Sequence, residues 1–461
     1  MSKQHETAVP VQKNQIVPLT VTGLTAEGNG VGRYEGFAVF VPQTAVGDEI
    51  RAKIVKVEKR CAFGIIEEIL SPSPDRVEPD CPVFQKCGGC VFRHISYEAE
   101  QRDKTGFVRD AFAHIGGLTP KEFLPIFGAQ QLDGCRNKAQ YPCGADETGA
   151  LQFGFYAARS HRLIPHTDCR LQPPLFAEIL RRCAELLQDF PPYNEQTGEG
   201  VLRHIYLRKG YHSDEVMVCI VASKKILAPL KPIGETLMAE FPQIVSVMLN
   251  INSKATNVIL GAKTVCVCGK DTISDTFCGI PVSLSPQSFY QVNTAQAERL
   301  FAEARRLADP QKHELLLDLY CGTGVIGLSM ADAAGKVIGV EVVEQAVADA
   351  KENAKRAGIS NAEFYAGDAG AIAAEFAQNG TKPDVIVLDP PRKGCDTVTL
   401  DACITMAPDR IVMVSCNPAT AARDAKYLTE HGFSLDVLRP VDLFPRTGHV
   451  ECVVLMSRNE S

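Results

Sequence analysis

Residues 314–324 read ELLLDLYCGTG, an apolar run that ends in two glycines separated by one residue. The run is typical of a buried strand, and the glycines let the backbone turn sharply and approach a ligand closely before a helix begins. From about residue 286 onwards, strand-like and helix-like segments alternate regularly. This alternation predicts an α/β fold with a mostly parallel, doubly wound, Rossmann-like sheet.

Acidic residues follow three further strands of this predicted sheet. Glu341 ends the strand KVIGVE, Asp368 follows the third strand, and Asp389 follows DVIVL. Because the carboxyl ends of parallel strands meet at one ligand-binding edge, we expect these side chains to line one pocket. The glycine loop lacks the full G-x-G-x-x-G of dinucleotide sites, so a nucleoside without a pyrophosphate, such as S-adenosylmethionine, is favoured. Each acid taken singly could instead be a helix N-cap.

A cysteine occupies a comparable position in VSCNPAT, residues 414–420. The apolar residues 411–414 indicate a buried strand, and Asn417 and Pro418 end it. A thiol at the carboxyl end of such a strand lies where open α/β sheets carry out chemistry, so Cys416 is a candidate nucleophile. An ordinary buried cysteine is the alternative, because cysteines are common in protein cores.

The residues around Cys416 favour methylation of carbon over methylation of nitrogen. Methyltransferases that modify exocyclic amines also carry Asp-Pro-Pro, usually followed by an aromatic residue that stacks on the base, whereas Arg392 follows here. C5 of uracil is a weak nucleophile, so an enzyme first adds a thiolate to C6 and later removes the C5 proton. Cys416 would supply the thiolate. Glu451, which opens the last apolar strand, is the best candidate for the base, with His449 as the runner-up.

The composition of the 461-residue chain indicates a soluble, globular protein with several cores, since 45% of its residues are hydrophobic. The first thirty residues are polar, and no run of apolar residues is long enough to span a membrane, so we expect a cytoplasmic protein. Its 17 cysteines then predict reduced thiols rather than disulfides. The net charge of −7 arises from residue 284 onwards, so any nucleic-acid surface must be a local basic patch before it.

The chain before the Rossmann-like region divides into two parts. Residues 11–70 contain five short strand-like runs separated by glycine-rich turns, which predicts a small OB-like barrel of the kind that often binds nucleic acid. The basic residues of the barrel, between Lys53 and Arg60, could equally form a solvated face. After a proline-rich linker, residues 78–284 predict an α+β domain, and residues 285–461 form the predicted catalytic domain.

A cluster of cysteines follows the linker. Cys81, Cys87 and Cys90 have C-x5-C-x2-C spacing, and Cys169 is an available fourth thiol. From these residues alone, either zinc or an iron–sulfur cluster is possible, and zinc is the commoner occupant of such sites. No second C-x2-C pair follows downstream, which weakens the interpretation as a zinc ribbon.

Six ordered motifs resemble those of the bacterial RNA uracil-C5 methyltransferases, in particular the 23S rRNA branch with a TRAM domain and an iron–sulfur cluster. They are SPQSFYQVN (285–293), DLYCGTG (318–324), GVE (339–341), LDPPRKG (388–394), SCNPAT (415–420) and GHVE (448–451). The resemblance covers nearly the whole chain. It implies a nucleophilic Cys416, a proton-accepting Glu451, and a [4Fe–4S] cluster on the four cysteines above. It also implies residues that hold S-adenosylmethionine: Gln291, Tyr320, Glu341 and Asp389, with Asp368 reaching the adenine.

The resemblance also implies an RNA partner. In this family the barrel binds RNA, and the barrel and the cluster together favour 23S rRNA over tRNA as the substrate. A uridine in folded RNA must rotate out of its stack to reach the pocket, so basic side chains should hold the flanking phosphates. The candidates, each of which could equally be a solvated charge, are Arg93, His94, Arg136, Lys138, Arg159, His161 and Arg162.

Three rival functions remain open from the sequence. They are a tRNA uracil-C5 methyltransferase, a methyltransferase of an exocyclic amine, and a non-catalytic RNA-binding factor that keeps a cofactor-shaped fold. The presence of Cys416, Glu451 and Asp389 counts against the last of these. We expect a monomer, and the sequence indicates no obligate protein partner.

Overall fold

The computed structural model describes residues 9–459, and its N-terminal sheet curls into a small barrel. The six strands, in the spatial order β1-β5-β6-β4-β3-β2, are β1 (Ile16–Thr20), β2 (Gly23–Leu24), β3 (Asn29–Tyr34), β4 (Phe37–Pro42), β5 (Glu49–Val57) and β6 (Cys61–Ser71). Thr22, between β1 and β2, donates its backbone N–H to the Val31 carbonyl at 2.9 Å, which extends the pairing of β2 with β3 toward the end of β1. The sequence predicted five strands. The sixth is the two-residue β2, which is too short to produce a pattern.

The middle of the chain begins with α1 (Tyr97–Asp110), which continues as a π-helical turn, Ala111–Gly116. A seven-stranded sheet follows, in the order β10-β9-β8-β11-β12-β13-β14. Its strands are β8 (Lys138–Ala145), β9 (Leu151–Tyr156), β10 (Leu163–Pro165), β11 (Leu202–Lys209), β12 (Val216–Ala222), β13 (Ile244–Ile251) and β14 (Lys263–Gly269). Two amphipathic helices, α2 (Pro174–Leu186) and α3 (Leu227–Glu240), contribute apolar side chains to the core on one face of this sheet. A two-stranded ribbon, β15 (Ile273–Phe277) and β16 (Ile280–Leu284), precedes the last part of the chain.

The last part forms the predicted doubly wound sheet, after helix α4 (Thr294–Ala308). Its strands are β17 (Leu315–Leu319), β18 (Lys336–Glu341), β19 (Ala362–Ala366), β20 (Val385–Leu388), β21 (Arg410–Ser415), β22 (Phe433–Val441) and β23 (Glu451–Arg458). The helices between them are α5 (Val325–Met330), α6 (Glu344–Arg356), α7 (Ala369–Gln378), α8 (Thr397–Met406) and α9 (Pro418–Glu430). The spatial order is β19-β18-β17-β20-β21-β23-β22, parallel from β19 to β21 and antiparallel on both sides of β23.

One strand of this sheet comes from far upstream. β7 (Glu122–Phe123) pairs in parallel with β22 and occupies the edge of the sheet. The doubly wound sheet is called the catalytic sheet below, after the predicted catalytic domain that contains it. The seven-stranded sheet also packs against it, because Met217 and Cys219 of β12 share one apolar core with Leu300 of α4. The catalytic sheet is therefore supported by the middle of the chain along its edge and on one face. No helix among residues 9–459 is long and apolar enough to span a membrane.

Candidate active site

Cys416 and Glu451 lie at adjoining ends of two antiparallel strands. Ser415, the last residue of β21, pairs with Cys452 of β23, so Cys416 and Glu451 are the next residue at each of these paired strand ends. The charge of Glu451 acts on the pKa of the Cys416 thiol, as expected for close neighbours. Cys416 is half-buried and Glu451 is buried. The sequence predicted both residues, and the strand order brings them together.

Burial opposes the charged forms of both groups. It raises the pKa of Glu451 to about 8, helped by the charge of Asp389 and opposed by Arg392. It also raises the pKa of the Cys416 thiol, with further contributions from Glu451 and Asp389. Arg392 acts in the opposite direction on the thiol, as does the start of α9 that follows Cys416, since helix N-termini favour thiolates. The pocket therefore holds a thiol and a carboxyl group that both titrate above their ordinary range.

The loop after β20 forms one wall of this pocket. Asp389, at the end of β20, keeps some exposure as a residue. Removal of water from around its carboxyl group disfavours the charged form and raises its pKa to about 7. Asn417 caps α9 through the backbone N–H of Ala419 at 3.1 Å and donates its side-chain amide to the Arg392 carbonyl at 3.1 Å. The Arg392 guanidinium lies 3.4 Å from the ring of His449. Asn417 thus ties the Asp-Pro-Pro-Arg loop to the segment that carries Cys416.

Glu341 and Tyr320 lie beside the glycine loop at the same edge of the sheet. The Glu341 carboxylate accepts the backbone N–H of Gly322 at 3.1 Å and that of Val343 at 2.9 Å, and it stays partly exposed. Each carboxylate oxygen therefore keeps acceptor capacity for a ribose hydroxyl. Tyr320 has a left-handed backbone, φ 65°, and its hydroxyl lies 3.0 Å from Thr399 Oγ1. The free acceptor capacity of Glu341 and the open glycine loop fit the nucleoside end of S-adenosylmethionine.

Gln291 and Asp368 lie on separate segments. The Gln291 carbonyl accepts the Asn137 side-chain amide at 2.8 Å, so the middle of the chain fixes this loop. Asp368 is exposed and caps α7, accepting the Ala371 backbone N–H at 3.0 Å. The N-cap alternative considered for the strand-end acids is thus realised at Asp368. Its contact with adenine remains a prediction.

Comparisons with known proteins identify the family. A family model described as tRNA (Uracil-5-)-methyltransferase matches residues 212–459, and a TRAM domain model matches residues 10–66. An uncharacterized RNA methyltransferase of Halalkalibacterium halodurans is 41% identical over 458 residues, which is 99% of each chain. The chain belongs to the tRNA (uracil-5-)-methyltransferase family. It is an S-adenosylmethionine-dependent RNA uracil-C5 methyltransferase, and the alternative of an exocyclic-amine methyltransferase is set aside.

Other relatives of this methyltransferase share its whole length. An uncharacterized RNA methyltransferase of Staphylococcus aureus is 39% identical, with 97% of this chain and 99% of the relative covered. The crystal structure of Pyrococcus abyssi tRNA (uracil-54, C5)-methyltransferase in complex with S-adenosyl-L-homocysteine superposes with a TM-score of 0.75 at 25% identity. The superposition covers 95% of this chain and 99% of the P. abyssi chain. Because a tRNA enzyme shares the architecture over this length, the architecture alone does not decide between rRNA and tRNA as the substrate.

The four cysteines of the predicted cluster lie in one neighbourhood of the methyltransferase. The charges of Cys90 and Cys87 both act on the pKa of Cys169, and Cys81 acts on that of Cys87. All four are partly exposed and free of disulfides. Within residues 9–459, no three ligand side chains converge on a single metal-ion position. The donor set of four thiols is suited to an iron–sulfur cluster.

Two of the seven predicted RNA contacts are structural. Arg93 is buried and pairs with Asp80 at 2.7 Å and Asp133 at 2.8 Å, and His94 is buried with Nε2 2.9 Å from the Thr44 carbonyl. Neither side chain is available to RNA, so these two predictions were wrong. Charged residues are seldom fully buried, and only the folded structure reveals the carboxylates that pair with Arg93.

The other five candidates keep some exposure. Arg159, His161 and Arg162 lie at the exposed turn between β9 and β10, whereas Arg136 and Lys138 are partly buried near the Gln291 loop. Burial and the neighbouring Arg208 lower the pKa of Lys138 to about 8. Asn137 and Asn417 fix two walls of the pocket, although the sequence predicted no role in the site for Asn137 and only a strand end at Asn417. No local pattern distinguishes such residues from surface asparagines.

Proposed function

We propose that this methyltransferase modifies C5 of a specific uridine in 23S rRNA, with Cys416 as the nucleophile and Glu451 as the base. The observation that carries the catalytic part is the position of Cys416 and Glu451 at the adjoining ends of β21 and β23, close to Asp389. A thiol and a carboxyl group at one edge of the sheet are the two groups that C5 methylation of uracil requires.

The proposed reaction begins when the Cys416 thiolate forms a bond to C6 of the rotated uracil. The electron pair of the C5–C6 double bond moves toward C5 and O4, which makes C5 nucleophilic. S-adenosylmethionine, when bound, would supply the methyl group: its sulfur–methyl bond would break as C5 bonds to the methyl carbon, and the sulfur would keep the bonding pair, which leaves S-adenosylhomocysteine. The Glu451 carboxylate then takes the C5 proton, the C5–C6 double bond re-forms, and the sulfur leaves C6 with its bonding electrons as the thiolate.

The cofactor is proposed to lie along the edge formed by β17, β18 and β20. Glu341 accepts the ribose hydroxyls, Tyr320 and Gln291 flank the cofactor, and Asp389 and Asp368 complete the site. Support comes from the partly exposed Glu341 carboxylate next to the glycine loop, and from the P. abyssi enzyme, whose structure is in complex with S-adenosyl-L-homocysteine.

The proposal also says which RNA carries the methylated uridine. Support for 23S rRNA comes from the resemblance of the catalytic motifs and the cysteine cluster to the rRNA branch. A tRNA uridine is the second candidate, favoured by the similarity to the P. abyssi tRNA enzyme. Deleting the gene and mapping 5-methyluridine in both RNAs by mass spectrometry separates the two. Loss of 5-methyluridine from 23S rRNA is expected, and loss from tRNA alone would overturn the rRNA assignment.

We also propose that Cys81, Cys87, Cys90 and Cys169 hold a [4Fe–4S] cluster. Methyl transfer needs no electron donor, so the cluster would act as a structural element that fixes the segment around residues 81–90. Protein purified without oxygen should be brown and contain about four irons and four sulfides per chain. Zinc without iron in the same preparation would contradict the proposal. Cys183→Ser changes a buried cysteine of α2 that is not one of the four proposed ligands, so this variant should keep its iron.

A further inference from the structure

The loop that leads into Glu451 is held by groups that lie far upstream in the chain. Residues 442–450, named the base loop here, connect β22 to β23, and the next residue is Glu451. The loop forms no helix or strand of its own. Its contacts with other parts of the chain therefore help to set its position.

Lys104 of α1 is the centre of these contacts. Its side chain is fully buried, and its ammonium donates to Glu100 Oε1 at 2.8 Å, Asp442 Oδ1 at 2.7 Å and the Phe444 carbonyl at 3.0 Å. An ammonium group has three donors, so every one of them is used. The Tyr97 hydroxyl donates to the other Asp442 oxygen at 2.8 Å. One lysine thus fixes two residues at the start of the base loop.

Arg446 fixes the middle of the base loop to the same helix. Its backbone N–H donates to Glu100 Oε1 at 2.7 Å, and its guanidinium lies 3.4 Å from Glu100 Oε2. Its carbonyl accepts the backbone N–H groups of Val91 at 2.9 Å and Phe92 at 3.2 Å, directly after Cys90. Two cations, Lys104 and Arg446, therefore balance two buried carboxylates, Glu100 and Asp442.

We propose that Lys104 is a positioning residue for proton abstraction, because it holds the base loop in the one arrangement that aims Glu451 at C5 of the uridine. This inference rests on the proposed role of Glu451. A buried ion pair contributes little net stability compared with apolar residues of the same size, but it tolerates few alternative geometries. Such a network is suited to fixing a loop, since any displacement leaves a buried charge without a partner.

The two halves of the reaction can be measured separately. RNA with 5-fluorouridine reports on thiol addition and methyl transfer, because fluorine cannot leave C5 as a proton and the complex stays covalent. With ordinary RNA, turnover of the enzyme also requires removal of the C5 proton, so the turnover rate reports on that step. Lys104→Met should form the fluorinated complex at nearly the rate of the parent, while turnover falls about 100-fold, as expected for a displaced catalytic group. A covalent, already methylated complex should accumulate on ordinary RNA.

Two further variants complete the test. Asp442→Asn keeps the shape of the side chain and an acceptor oxygen, and it removes only the charge that pairs with Lys104. If Lys104→Met does not fold, this variant should show the same pattern, with nearly normal formation of the fluorinated complex and slower turnover. Lys336→Met removes an exposed lysine that pairs with Glu363 at 2.9 Å at the far end of β18, and it should keep both rates. Equal loss of both rates in a folded Lys104 or Asp442 variant, or loss of neither, would overturn the inference. Failure of the parent to form any complex would instead refute the proposed function.

Discussion

Cys416 and Glu451 occupy a pocket that disfavours the charges on which their proposed chemistry depends. The pKa of Glu451 is raised to about 8 chiefly because the side chain is buried, and burial acts in the same direction on Cys416. A base that holds its proton weakly enough to release it, yet accepts one near neutral pH, is matched to its task. Such a pocket costs folding stability, as sites built for function often do.

Replacing Glu451 should make the protein more stable at alkaline pH. Its folded pKa of about 8 exceeds the ordinary value of 4.5, so between these values the folded state binds a proton that the unfolded state has lost. The stability of the parent therefore falls as pH rises through this window. Glu451→Gln should be more stable than the parent at pH 8 by on the order of a few kcal/mol, with the difference shrinking toward pH 5.

Urea unfolding of the parent and the variant at several pH values measures this difference. Glu375→Gln, on the exposed face of α7, is the control and should show no such trend. A Glu451 variant that is less stable than the parent at pH 8 would show that the charged carboxylate is stabilised in the fold.

At the scale of elements, most strands of the catalytic sheet were predictable from the sequence. The position of β23 and the addition of β7 to the sheet were not. The strands β17, β20 and β21 read as apolar runs because parallel strands are covered on both faces. The position of β23 between β21 and β22 is a non-local pairing that no run of residues encodes, although it brings the strand ends that carry Cys416 and Glu451 together. β7 has only two residues, too few for any periodicity. The candidate residues at the strand ends could therefore be predicted one by one. Which strands pair, and so which of these residues lie together, could not.

The base loop also touches the N-terminal barrel, at Gly448. A side chain added there would overlap the carbonyl oxygen of Ala26, which lies on the turn between β2 and β3. Gly448→Ala should therefore displace the loop directly before His449 and three residues before Glu451. We expect turnover to fall about 10- to 100-fold, with a smaller effect on stability.

Gly106→Ala is the matched control for this change. Gly106 lies within α1, and a Cβ there meets no neighbouring atom. This variant should keep its turnover and gain up to about 1 kcal/mol of stability, because alanine favours helix. If Gly448→Ala turns over as fast as the parent in a steady-state methylation assay, contact with the barrel does not position the loop.

On the scale of the whole molecule, three distant parts of the chain converge on one catalytic edge. The barrel contacts Gly448, α1 holds the base loop through Lys104, and the Cys90–Phe92 segment donates to Arg446. The middle of the chain also fixes the Gln291 loop through Asn137. The sequence predicted the successive parts and their order. It did not predict that the upstream parts complete the pocket, because buried charges such as Lys104 and Arg93 read as surface residues until their partners are known.

The most direct test of the central claim is peptide mapping of the covalent complex. The protein is incubated with S-adenosylmethionine and substrate RNA containing 5-fluorouridine, denatured, digested, and analysed by mass spectrometry. We expect one methylated 5-fluorouridine attached to the peptide that contains Cys416, and no complex with Cys416→Ala. Attachment to another cysteine, or a complex formed as readily by Cys416→Ala as by the parent, would contradict the assignment of Cys416 as the nucleophile.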